Sequence, residues 1–167
     1  MKKKILMICM AMVFATLSIC GCGQQSGNAN TEVSENIPDT IAYKIRTQFR
    51  EEIKNDNNIE NVANKLIENE TFEEMAMGVM PVEEGYLNGF NEEIKGFSSG
   101  VMFAPMIGTI PFVGYIFETD NPDELMKILD EKAMLNWNIC TTADEKVSDI
   151  KDNVVFFVMS PYSFEME

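Results

Sequence analysis

The sequence predicts an α+β fold: an N-terminal helical hairpin packed on a small three- to five-stranded sheet, with one further helix between the last strands. Three features carry that prediction. Apolar residues recur at helical spacing in the two segments that follow Pro38. Aromatic and β-branched runs bounded by Gly, Pro, Asn and Asp follow from Met75 onward. Asp120-Asn121-Pro122 then opens a third helical stretch between the last two runs. Helices first and strands afterwards is the order of an α+β domain.

The first helix follows the N-cap candidates of Pro38-Asp39-Thr40, with Ile41, Ile45, Phe49 and Ile53 four residues apart and Ala42 widening the stripe. Asn55-Asp56-Asn57-Asn58 ends it and caps the next, where Ile59, Val62, Ala63, Leu66 and Ile67 share one face. A connection this short makes the pair a hairpin. The segment Met75-Ala76-Met77-Gly78-Val79-Met80-Pro81-Val82 lacks a helical period, and its Gly and Pro favour a short strand or extended segment. Residues 94–103 read as a glycine-punctuated strand, and residues 104–111 as an apolar connection marked by Pro105, Gly108 and Pro111.

Residues 112–118 make the best strand in the chain. Asn121 as N-cap, Pro122 at the first helical position and Asp123-Glu124 in the first turn then start a helix, with Leu125, Ile128, Leu129 and Ala133 facing inward. Residues 137–143 carry no readable pattern. Residues 154–159 form a second continuous apolar run that closes at Ser160-Pro161, and the acidic tail from Phe164 is expected to fray. Neither apolar run alternates, so both are expected as central strands covered on two faces. The strand–helix–strand order also allows a right-handed parallel crossover between them.

At the other end of the chain, Lys2-Lys3-Lys4 precedes an apolar run from Ile5 to Ile19, too short for a confident membrane span of about 20 residues. That is the layout of an export signal. Ile19-Cys20-Gly21-Cys22 resembles a bacterial lipobox. The resemblance implies a signal peptide over residues 1–21, cleavage before Cys22 and attachment of diacylglycerol to its sulfur. Cys20 is the rival position, but there the bulky Ile19 would precede the cut. The polar stretch to residue 35 then forms, with Cys22, a lipidated flexible tether over residues 22–35, with a random-coil reach of about 20 Å. Residues 36–167 are left as a single domain. On this reading the chain works on the outer, extracytoplasmic face of the cell membrane. From Pro111 to Pro161 the order of segments also resembles small, functionally uncharacterised lipoproteins of Gram-positive anaerobic bacteria, a resemblance that brings no catalytic residues with it.

Composition narrows the function classes. The whole chain has 13 basic and 27 acidic residues and no histidine. Losing the three signal lysines takes the formal charge from −14 to −17, which argues against nucleic acid or an anionic membrane surface as a direct partner, since both call for a basic face. Without histidine the commonest general base and transition-metal ligand is missing. Cys140 becomes the one thiol outside the anchor, expected to be buried beside Trp137 and Ile139 or else to pair between chains. Met75, Met77 and Met80 are weak candidates for a Cu(I) site, since soft sulfur ligands select that ion; methionine as core filler is the plainer account. Glu73-Glu74, Glu83-Glu84 and Asp123-Glu124 are sequence neighbours, which does not by itself create the facing carboxylates that hydrolysis requires.

No catalytic residue and no cofactor are expected. The favoured function is a non-enzymatic binding module of the cell envelope, held to the membrane by its lipid anchor and meeting an envelope protein. A small-ligand or metal carrier is the second reading and a carboxylate-based hydrolase the third. The docking candidates are Met106 and Ile107, apolar side chains at the middle of a connection, where polar residues are the rule. Their alternative fate is to fold back as a lid on the core.

Overall fold

A computed structural model of the protein describes residues 37–164. The segments expected to be a signal peptide and a tether, with Cys22 between them, and residues 165–167 lie outside the described residues. The architecture is α+β, as the sequence predicts. Helices α1 (Ile41–Asn55) and α2 (Ile59–Leu66) pack on a five-stranded antiparallel sheet. The strands are β1 (Met77–Pro81), β4 (Ser99–Pro105), β5 (Val113–Glu118), β7 (Val154–Ser160) and β6 (Glu145–Lys151), in that spatial order. Helix α3 (Pro122–Lys132) connects β5 to β6. A two-stranded ribbon, β2 (Gly85–Tyr86) with β3 (Glu93–Ile94), stands apart from the main sheet.

The helical hairpin forms as its periodicity requires. Ile41, Ala42, Ile45, Phe49 and Ile53 are buried on α1, and Ile59, Val62, Ala63 and Leu66 on α2. Asn58 caps α2, its side-chain oxygen accepting the N–H groups of Glu60 and Asn61 at 3.0 Å each. Burying each large side chain of α2 contributes about 1.5–3 kcal/mol before entropy is set against it.

Strand β7 is buried along its whole length and shows why it does not alternate in sequence. Val154, Phe156 and Val158 face the α1–α2 layer, while Val155, Phe157 and Met159 join Leu125 and Leu129 of α3 in a second core on the opposite face. Both central-strand expectations hold, and the sheet is covered on two sides.

Several details differ from the sequence reading. The strand from Val154 runs antiparallel to β5, not parallel. The strand parallel to β5 is β6, which lies beyond β7 because both pair antiparallel with β7. Strand β6 itself went unread: only Val147 is fully buried on it, so it presents no apolar run. The glycine-punctuated segment 94–103 divides between β3 and β4. Asn121 stands at the N-cap of α3 but makes no side-chain cap; instead Thr119 Oγ1 accepts the Asn121 N–H at 3.1 Å. On α3 only Leu125 and Leu129 are buried, with Ile128 and Ala133 half-buried. Phe164 does not fray, because its ring packs on Phe72 and Phe112.

Candidate functional site

The connection between β4 and β5 is pinned at its base and open at its tip. Phe103 and Phe112 are buried, with Phe112 edge-on to Phe72 at a centroid distance of 5.0 Å, and Ile110 is half-buried against the same core. The Met106 N–H donates to the Ala76 carbonyl at 2.8 Å, tying the outgoing arm to the start of β1. Beyond these anchors the chain leaves the core. Met106 is 76% exposed and Ile107 64%, and residues 106–109 are all exposed. The lid reading therefore holds for Phe103, Ile110 and Phe112, and fails for Met106 and Ile107.

A second loop stands against the first. Asn138 Nδ2 donates to the Ile110 carbonyl at 3.3 Å, and the Thr141 hydroxyl donates to the Thr109 carbonyl at 2.8 Å. Between those two contacts Ile139 is fully exposed and Cys140 is exposed as well. The expectation that Cys140 is buried beside Ile139 and Trp137 is thus overturned. Asn138 and Thr141 hold the loop by its polar side chains and turn the pair between them outward. Sequence reasoning missed Ile139 as a tip residue. The signal for it was available: residues 133–143 carry no charged side chain, and neither do residues 96–117, in a chain of net charge −14.

This tip lies at the end of the sheet where the described chain begins. Val113, which follows the first loop, pairs with Met159 near the end of β7, and Glu145, which follows the second, pairs with Ser160. Two residues past Ser160, the Tyr162 carbonyl accepts the Ile41 N–H at 3.2 Å at the first turn of α1. Tyr162 and Ile37 are themselves half-exposed apolar residues. In the same region, Thr40 Oγ1, Glu145 Oε1 and Ser160 Oγ are buried without a hydrogen-bond partner among the described residues.

The other candidates are scattered. Met77 packs on the α1–α2 core together with Met75 and Val79, while Met80, three residues further along a strand of period two, points to the opposite face and is 48% exposed. The three thioethers therefore do not converge. Glu73, Glu74, Glu83, Glu84, Asp123 and Glu124 are all exposed. No group of three or more Asp, Glu, Cys or His that could hold a metal ion exists among the described residues. A shallow depression of about 380 Å³ is lined by Tyr86, Glu92, Glu93, Lys95, Ile128 and Lys132. Both of its carboxylates are engaged, Glu92 by Lys132 at 2.9 Å and Glu93 by Lys95 at 2.5 Å. The Lys95 hydrogen bond holds the Glu93 carboxyl below its ordinary range, which makes it a poor proton donor near neutral pH.

No helix among the described residues is long and apolar enough to cross a membrane. Compared with known proteins, the chain matches no family model, no curated protein and no solved structure.

Proposed function

We propose that this protein is an extracytoplasmic lipoprotein, anchored through Cys22, that acts as a non-enzymatic binding module and meets another component of the cell envelope through Met106, Ile107 and Ile139. The observation that carries this reading is the exposed apolar tip on two uncharged, mutually bonded loops. Three large apolar side chains held out on neighbouring loops by a fixed base favour a contact surface over ordinary scattered exposure. The anchor rests on the lipobox-like Ile19-Cys20-Gly21-Cys22.

Two measurements test the reading. Cys22→Ala is expected to abolish incorporation of labelled fatty acid, and undiminished labelling rejects the anchor. A photo-crosslinking residue at position 107 is expected to capture a membrane component in cells, while the same residue at exposed position 120, beyond the opposite end of β5, captures far less. Equal capture at the two positions rejects the tip as the contact surface.

A further inference from the structure

We infer that the component the tip meets is a lipid surface, the membrane to which the chain is tethered, with Met106, Ile107 and Ile139 entering the headgroup–acyl boundary. The inference rests on the anchoring proposed above and names the partner of the same surface. Its first support is position. The tip and the first residues of α1 share one end of the sheet, through the Ile41–Tyr162 hydrogen bond and the pairing of Val113 with Met159. Whatever holds the chain upstream of Ile37 to a membrane therefore holds this end nearest to it. The flexible tether that the composition of residues 22–35 predicts, with a reach of about 20 Å, would be short beside a domain of this length, whose radius of gyration of about 14 Å corresponds to a sphere roughly 36 Å across. The opposite end would be held away from the bilayer and the tip against it.

The second support is charge. The protein is strongly acidic, yet residues 96–117 and 133–143, which supply the tip, carry no charge at all. Carboxylates in the two loops would have to be desolvated on entering a lipid interface, and the loops carry none. The exposed carboxylates nearest this end, Asp39, Glu74 and Asp144, would stay in water, so the surface met is a zwitterionic one and not an anionic one. The third is shape. Met106, Ile107 and Ile139 stand 64% exposed or more, on the tips of two separate loops. A stable protein interface covers about 800 Å² on each partner, which three projecting side chains do not supply; lipid adapts to projections. Trp137 sits half-buried two residues before Ile139, and an amphipathic indole is favoured at the headgroup level.

The chain contains a single tryptophan, so its fluorescence reports on this loop alone. The mature lipidated protein is reconstituted into phosphatidylcholine vesicles with ordinary or brominated acyl chains, and vesicle flotation is measured alongside emission. Brominated lipid is expected to lower Trp137 emission at least twofold. The double variant Met106→Asp, Ile107→Asp is expected to float equally well and lose the quenching, with an unchanged melting midpoint because both positions are exposed. A protein that floats with unquenched Trp137 overturns the lipid contact while leaving the anchor intact, and points to a protein partner. Quenching that survives the double substitution also overturns it. A protein that fails to float removes the anchoring on which the inference rests, and the inference with it.

Discussion

Tyr115 lies fully buried in β5, and its hydroxyl donates to the Asn88 carbonyl at 2.8 Å. Burial pushes the phenol far above its ordinary value. The folded state therefore keeps the proton in a range where the unfolded chain has already lost it. The stability linked to this group is complete below the ordinary phenol pKa of about 10 and falls as pH rises toward the raised folded value, by up to about 1.4 kcal/mol per pH unit. Denaturant midpoints followed through the alkaline range are expected to fall for the wild type and to fall less for Tyr115→Phe. At neutral pH that variant is expected to cost about 1 kcal/mol for the donor lost by Asn88. One strand position earlier, Gly114 faces Phe103 across the β4–β5 pair. A Cβ there would overlap the Phe103 ring. Gly114→Ala is expected to destabilise by about 1–3 kcal/mol, and a melt that matches wild type would show that the ring moves aside freely.

Among the elements, α1 and β6 meet through charge as well as apolar packing. Asp149 on β6 pairs with Arg50 and lies 3.6 Å from Arg46 Nε, and the Arg46 guanidinium also stands over the Tyr43 ring at 4.9 Å. The side chains of Asp149 and Arg46 are only 10% and 15% exposed, so removing the carboxylate strands a largely desolvated cation. Asp149→Ala is expected to cost about 1–3 kcal/mol, read from chemical denaturation, and Arg50→Ala less, because its side chain is half exposed. The same pair explains why β6 escaped the sequence reading. Glu145-Lys146-Val147-Ser148-Asp149-Ile150-Lys151 looks solvated, and its charged residues belong to an edge strand, where charge discourages further pairing. By contrast α1, α2 and β7 were legible because each lays a whole apolar face on the sheet or is buried throughout. The tip was half legible: Met106 and Ile107 stood out as apolar residues in a connection, but Ile139 looked like core beside Trp137. Its outward turn depends on the Asn138 and Thr141 hydrogen bonds to another loop, and contacts between loops leave no periodic trace.

At the scale of the whole molecule, two apolar cores share one sheet, and β5 and β7 contribute to both. No disulfide spans the described residues, where Cys140 is the sole cysteine and is free, so the domain is held by packing across the sheet. Unfolding either face exposes the reverse side of the same strands, and a single cooperative transition is the expected behaviour. Reductant is therefore expected to leave the monomer's melting midpoint unchanged. The position of Cys140 adds a second consequence. It is exposed beside Ile139 on the tip, where two molecules meeting tip to tip would bring their thiols close. In an oxidising medium, non-reducing gels of the mature protein are expected to show a covalent dimer that disappears with reductant and in Cys140→Ser. If the tip enters lipid as proposed, the dimer is expected to form more slowly in lipid vesicles than in detergent. Equal rates in the two settings would mean that the bilayer does not shield this loop, and a dimer that persists in Cys140→Ser would place the crosslink elsewhere in the chain.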